Sequence, residues 1–385
     1  MQDQVTTSAI APLLEPLDVA GCRLPNRIVM APMSRYFCPG GVPTDEVAAY
    51  YARRAASGLG LIVTEGTGIP HPKSVDHPGV PHMHGEAALA GWKCVIEAVH
   101  RAGGRLWPQL WHQGPMWNVE HGTGAEPGLR PSGLWGPDDG IISIDAGART
   151  RALPETIAMT DEEIQDVVDA YGAAAGHAAA IGADGIAIHG AHGYLIDTFF
   201  WGLTNRRTDR WGGDERGRAE FGCAVVRAIR AAVGPGLPIA LRFSQFKLQD
   251  YRARIADTPG SLERLLGPLA DAGVDLFDAS QRYFDTPLFE GSDLNLAGWA
   301  KKLTGRLSMT VGGVGLGKAQ GQARHIDDSQ ATVDNLAKVV ARFARGEFDL
   351  VGVGRSILND PCWFAKARRG DPFAPFDRAS LERLT

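Results

Sequence analysis

Cysteine is scarce in this 385-residue chain, and its five copies, Cys22, Cys38, Cys94, Cys223 and Cys362, are scattered with no Cys-x-x-Cys spacing. That argues against an iron–sulfur cluster, a structural zinc or a disulfide framework, and leaves reduced, mostly structural thiols. Long apolar runs are missing too: nowhere are there the roughly 18 uninterrupted apolar residues that a membrane span needs. Met1 to Leu14 lacks the basic region and apolar run of a secretion signal. Basic charge is not in excess either. The formal net charge is -5 and the pI is near 6.1, so no positive field awaits a nucleic-acid backbone. The expectation is a cytosolic protein with neither a nucleic-acid nor a membrane partner. What the chain does have, 44% hydrophobic and 22% charged residues, suffices for a large core and argues against disorder.

Short apolar runs bounded by Gly, Pro or polar residues recur along the chain, rich in Val, Ile, Leu and Phe as buried parallel strands require. They are Arg27 to Ala31, Leu59 to Glu65, Arg105 to Leu110, Gly185 to His189, Pro238 to Phe243, Val274 to Ala279, Leu307 to Val311 and Asp349 to Val353. Segments with helical spacing lie between them. Val47, Tyr50, Tyr51 and Ala55 share one face, with Arg53 and Arg54 expected to face elsewhere, and Ile164, Val167, Val168, Tyr171 and Ala175 repeat the pattern. That second helix starts at Thr160-Asp161-Glu162-Glu163, a capping box with acidic charge at the positive helix end. Further helices are expected at Gly85 to Arg101, Glu215 to Val233, Ser261 to Asp271, Leu294 to Leu303, Thr332 to Ala344 and Pro361 to Arg368.

Strand-then-helix units in this number suit an α/β fold, a (β/α)8 TIM barrel, because closure removes both sheet edges. An open doubly wound sheet is the runner-up. A long excursion after the third strand, about residues 112–159, is dense in Gly, Pro and Asp. It reads as a rim loop or small hairpin without a core of its own, forming a partial lid. One domain, 1–385, is drawn.

On this fold the chemistry belongs to the C-terminal ends of strands and the loops after them. The fourth strand runs into His189-Gly190-Ala191-His192-Gly193-Tyr194. Two neutral imidazoles can donate to one carbonyl oxygen and stabilise charge developing on it, and a phenol with a pKa near 10 can then supply a proton. Ordinary loop packing and a metal site are the other readings. The metal-dependent hydrolase arrangement lacks a His-x-His on the first strand, Val29-Met30-Ala31-Pro32. Strands seven and eight end in Gly312-Gly313-Val314-Gly315 and Gly352-Val353-Gly354-Arg355. Exposed backbone N–H groups beside a forked guanidinium make a phosphate cradle there, although each glycine run alone is also plain turn chemistry. Arg242, inside the barrel, needs either an anionic or electron-rich ligand or a structural ion pair. Gln109 can serve a heteroaromatic edge or fill a polar layer.

These residues together resemble the old yellow enzymes, FMN-dependent ene-reductases on a (β/α)8 barrel, over Leu17 to Phe364. The resemblance is carried by Asn26 through Arg35, Thr64-Glu65-Gly66-Thr67, Gln109-Leu110-Trp111-His112, and His189 through Tyr194 on to Thr204 through Gly213. It implies a bound FMN with its phosphate on Gly313, Gly354 and Arg355, and with Pro32, Met33 and Gly66 lining the flavin. Ser34 and Gln109 would hydrogen-bond the ring, and Arg242 would lie at its pyrimidine edge, favouring the anionic reduced form. By the same resemblance His189 and His192 bind the substrate carbonyl, Trp111 adjoins the substrate, and Tyr194 is the proton donor.

The activity implied is hydride transfer from NADH or NADPH through flavin to the C=C bond of an α,β-unsaturated carbonyl, with no metal. The partner is a small enone or enal, and a homo-oligomer stays open. Departures from the family pattern are the 112–159 excursion, the absence of an arginine soon after Gly114, the absence of an aromatic pocket residue in the last turn, and Ser34 where Thr or Cys is common. They bear on substrate shape and flavin potential. Asn205 to Gly213 is assigned to loop geometry. A non-enzymatic flavin-binding barrel is the alternative. A Schiff-base aldolase is weaker, since Lys247 lies several residues beyond the fifth strand.

Overall fold

The computed structural model describes residues 10–119, 126–140, 146–318 and 331–385. Its strands are β1 (Leu17–Val19), β2 (Cys22–Leu24), β3 (Ile28–Met30), β4 (Leu61–Gly68), β5 (Leu106–Trp111), β6 (Ile186–His189), β7 (Ile239–Ser244), β8 (Leu276–Ser280), β9 (Leu307–Val311) and β10 (Leu350–Val353). From β3 to β10 each strand pairs in parallel with the next, and β10 pairs back onto β3, so the sheet closes. Every one of the eight apolar runs became a barrel strand. The open sheet is thereby excluded.

Helices fill the crossovers: α1 (Asp45–Ala56), α2 (Glu86–Arg101), α3 (Ala146–Ala152), α4 (Asp161–Ala180), α5 (Leu195–Phe200), α6 (Glu215–Val233), α7 (Pro259–Ala272), α8 (Leu296–Thr304), α9 (Leu336–Ala344), α10 (Arg355–Asn359) and α11 (Trp363–Arg369). The capping box at Thr160 forms, with Glu163 N donating to Thr160 Oγ1 at 3.1 Å and Thr160 N donating to Glu163 Oε2 at 2.8 Å. The apolar faces of α1 and α4 pack into the shell between barrel and helices. Arg54, expected to face away from that shell, is fully buried instead. Its guanidinium stacks on Tyr50, 3.6 Å from the ring centroid, and donates to the carbonyls of Tyr50, Leu358 and Thr385. Three carbonyl acceptors and an aromatic face supply the partners that a buried cation requires.

A second apolar cluster fills the lower barrel with Val29, Val63, Trp107, Ala240, Leu276 and Met309, and the β1–β2 hairpin plugs its N-terminal end with Val19, Cys22 and Leu24. This hairpin is missing from the strands expected above. Its two-residue turn, Ala20 (φ 45°) and Gly21 (φ 92°), is braced by Asp18 Oδ1 accepting from Gly21 N at 2.9 Å. Both turn residues have positive φ, as the tight hairpin turn demands.

The rim excursion also departs from expectation. Its described residues hold a short turn at Gly114–Met116 and α3, with no strand among them, while 120–125 and 141–145 lie outside the described residues. It does form a small core: Met116, Val119, Trp135, Ala148 and Ala152 pack with Leu248, and Tyr194 rests against them. The Asn205–Gly213 stretch does serve loop geometry. Arg207 donates to the carbonyls of Pro131 and Met159, and Asn205 Nδ2 to those of Phe199 and Trp211, tying the excursion to the barrel.

Leu24→Ala should cost about 2–5 kcal/mol by opening a cavity beneath the barrel. Guanidinium unfolding checks this, and an unchanged midpoint would mean that the hairpin is not a structural plug.

Candidate active site

The C-terminal ends of the strands surround a cavity of about 220 Å³, open to solvent. Ala31, Pro32 and Met33 line it from beyond β3, Arg242 from β7, Ser280 through Tyr283 from the end of β8 and the loop after it, Gly312 and Gly313 from beyond β9, Gly352 and Gly354 from β10 and its end, and Arg355 from the start of α10. His192 and Phe246 complete one wall, their rings stacked at 5.1 Å. Of the residues expected to hold a cofactor, Pro32, Met33, Arg242, Gly313, Gly354 and Arg355 therefore share one cavity. Ser34 is exposed and not part of its wall.

The glycine loops there are shaped for close backbone approach. Gly313 has φ 70°, and a Cβ on it would sit 3.1 Å from the Tyr283 ring. Asn335, which no motif singles out, pins this loop: its Nδ2 donates to Gly313 O at 2.8 Å and its Oδ1 accepts from Gly315 N at 2.9 Å. Burial lowers the Arg355 pKa, with Tyr283 opposing that shift and the neighbouring Arg282 adding to it. An anion between them would relieve both effects.

Gln109 and Gly66 lie side by side in the β4–β5 register. A Cβ at Gly66 would come within 2.6 Å of the Trp111 ring, so only glycine lets that indole lie flat against the strand. Gln109 Nε2 is buried and has no hydrogen-bond partner. A buried amide left unpaired costs free energy unless a ligand accepts from it, which suits the edge of a heteroaromatic ring. Glu65, in the quoted motif but with no role assigned, shapes the same region. Its Oε2 accepts from Arg35 N at 2.7 Å and Tyr36 N at 3.2 Å, immediately after Ser34. Burial raises this carboxyl to about 7.

The partner that Arg242 needs is partly inside the protein. Adjacent in register on β8, Asp278 accepts from Arg242 Nε at 2.6 Å, and both side chains are buried. Burial raises the Asp278 pKa while Arg242 opposes that rise. Since Arg242 also lines the cavity, it offers a ligand a guanidinium whose charge is shared with a carboxylate.

His189, His192, Tyr194 and Trp111 meet as a ring cluster. His189 and Tyr194 centroids are 4.8 Å apart, His189 and His192 5.1 Å, and Trp111 and Tyr194 4.9 Å, all edge-on. Burial first, then Arg242, hold His189 well below the ordinary imidazole pKa. Its Nδ1 accepts from Ala191 N at 3.4 Å, which places the proton of the neutral ring on Nε2 and makes that nitrogen a donor. His192 stands at φ 64°, its N donates to Ser244 Oγ at 3.0 Å, and its Nε2 lies 2.8 Å from Ser280 Oγ. When Ser280 donates to that nitrogen, Nδ1 carries the proton.

Under this cluster lies an ion pair that sequence spacing did not join, Lys247 with Asp197, at 2.7 Å and 0% exposed on both sides. Burial pushes Asp197 up to about 6 against the pull of Lys247.

The depressed His189 pKa has a sign. The unfolded chain binds that proton near pH 6.5 and the folded protein does not, so the contribution of His189 to stability is intact above about 6.5 and is lost as pH falls below it. His189→Asn should lessen the stability loss between pH 7.5 and 5.5 by about 1 kcal/mol, read from denaturant midpoints. An unaltered loss would contradict a neutral His189.

Comparison with known proteins gives one consistent result. Residues 12–373 match the model of the NADH:flavin oxidoreductase / NADH oxidase family. Chanoclavine-I aldehyde reductase of Penicillium roqueforti is 32% identical over 373 residues, covering 96% of this chain and 92% of that protein. Among solved structures, morphinone reductase in complex with tetrahydroNAD superposes with a TM-score of 0.77 at 26% identity, covering 96% of this chain and 93% of that one. The old yellow enzyme homologue of Zymomonas mobilis gives 0.76 at 25% identity, covering 97% of each chain.

Proposed function

The chain belongs to the NADH:flavin oxidoreductase / NADH oxidase family, the old yellow enzymes, and from that membership we propose that it reduces the activated C=C bond of α,β-unsaturated carbonyls. FMN is the cofactor and NADH or NADPH the reductant. The observation that carries the assignment is that His192, which lines the cavity with Arg242, Gly313, Gly354 and Arg355, joins it to the ring cluster of His189, Tyr194 and Trp111.

The residues present fit FMN. The orphaned Gln109 amide suits a ring edge, Gly313 and Gly354 admit a phosphate to the backbone, and Arg355 meets it with charge. Pro32, Met33 and Gly66 would line the isoalloxazine, Ser34 would approach its edge, and the Arg242–Asp278 pair would steady the pyrimidine side. When bound, FMN accepts hydride from the nicotinamide and delivers it to the β-carbon of the substrate.

The chain's own part is to orient and polarise. His189, through Nε2–H, and His192 donate to the substrate carbonyl oxygen, drawing electron density from the conjugated bond and stabilising the charge that grows there. Neutral rings are needed for this, and burial keeps His189 neutral. Tyr194 holds a proton at its hydroxyl for the α-carbon. Trp111 and the excursion residues packed on Tyr194 limit water at that side. One domain over 1–385, a cytosolic location and the absence of a nucleic-acid partner belong to the same proposal and are supported by composition and charge.

Purified protein should be yellow, lose its flavin band under anaerobic NADPH and regain it on addition of cyclohexenone. A flavin that no enone reoxidises would mark a binding barrel instead. Tyr194→Phe should leave flavin reduction by nicotinamide intact and slow enone turnover by about 10²–10⁴-fold, the usual worth of a positioned proton donor. Stopped-flow measurement of each half-reaction checks this, and equal impairment of both would remove Tyr194 from that role.

A further inference from the structure

We propose that the buried Lys247–Asp197 pair is a positioning device for the carbonyl-binding loop, a role that rests on the ene-reductase function above. The loop has an intrinsic difficulty. Tyr194 occupies the N-cap of α5, where Ser, Thr, Asp or Asn normally satisfies the first backbone donors, and its side chain makes no capping bond. His192, two residues earlier, holds a left-handed backbone that a side chain other than glycine resists. Left to local preference, this segment would not present an imidazole and a phenol to the same small volume.

Asp197 supplies what Tyr194 cannot. From the first turn of α5 its Oδ2 reaches back and accepts from Gly193 N at 2.6 Å, while its Oδ1 accepts from Lys247 Nζ at 2.7 Å. Lys247 also donates to Ser244 O at 3.0 Å, fixing the loop that follows β7. That loop grips the other side of the same segment. Ser244 Oγ accepts from His192 N, Leu248 N donates to His192 O at 3.1 Å, and Gln249 Nε2 donates to Gly193 O at 2.8 Å. Gly193 has φ 81°, and a side chain there would run into the Gln249 amide.

The pair thus joins α5 to the loop after β7 beneath His192 and Tyr194, with both side chains fully buried. Removing either partner leaves a buried charge without its counterpart and frees the loop. Neither side chain lines the flavin cavity, so the effect falls on how a carbonyl compound is held and protonated.

Dioxygen provides the internal standard, because it reoxidises reduced flavin without a polarised carbonyl or a proton from Tyr194. The experiment compares anaerobic reoxidation of the reduced holoenzyme by cyclohexenone with reoxidation by dioxygen, in wild type, Asp197→Asn, Lys247→Met and the volume-matched double variant Asp197→Leu/Lys247→Met. The double variant buries no unpaired charge and keeps the fold testable if the single changes unfold. The expected result is a fall in the enone-to-dioxygen rate ratio of about 10- to 100-fold, the cost of small misplacements of a reacting group. Lys247→Arg should recover part of it. Unchanged ratios in the folded variants, or a double variant with the wild-type ratio, would overturn the positioning role. Failure of the ene-reductase function itself looks different: wild-type reduced enzyme would then be reoxidised by dioxygen and by no enone.

Discussion

Pairing of Val351–Val353 with Ile28–Met30 closes the sheet, and the site depends on that closure. Parallel strands all point the same way, so once the first meets the last, the residue after each strand stands on one rim whatever its distance along the chain. Met33 and Gly354 illustrate this: the Met33 sulfur lies 3.4 Å from where a Cβ of Gly354 would be. Inside, the lower barrel is packed solid and its N-terminal mouth is stopped by the β1–β2 hairpin, so a ligand has only the C-terminal side to enter. A rigid, dry floor under a polar rim is what preorganised donors require, since no reorganisation is then needed as charge develops.

The rim carries few net charges despite its polar side chains. Arg242 is matched by Asp278 and Lys247 by Asp197, each at hydrogen-bond distance and buried. His189 is kept neutral by the same burial. An unmatched charge in such a place would shift its pKa or draw in water. The glycine-lined end brings Arg355 and Arg282 near each other, and there a phosphate dianion has most to gain.

How much of this was legible in the sequence depended on range. Strands showed as apolar runs because both faces of a barrel strand are buried, and β4, with every residue buried, is the clearest. His189, His192 and Tyr194 were legible as a group because six residues hold them, as were the terminal glycines. Arg54 misled because a helical wheel sorts by polarity, and nothing nearby announces carbonyl acceptors from Leu358 and Thr385. Arg242 was seen without its partner Asp278, 36 residues on, and Lys247 and Asp197 are 50 residues apart. Long-range ion pairs leave no periodic trace. The excursion's small core was overlooked for a related reason: part of its support, Leu248 and Tyr194, comes from elsewhere in the chain.

Strain and restraint at His192 can be weighed against each other. A left-handed residue other than glycine costs on the order of 1–3 kcal/mol. The His192–Gly193 segment is tethered by bonds to Ser244, Leu248, Gln249 and Asp197, each contributing about 0.5–1.5 kcal/mol net, and more where a charge takes part. Four such bonds, about 2–6 kcal/mol together, outweigh the strain only while most of them persist. The strained imidazole is therefore held by a group of contacts rather than by any one of them, and the charged tether through Asp197 is the largest. Weakening that one bond narrows the margin, so that the loop samples other backbone states more often and the two rings share a target less of the time.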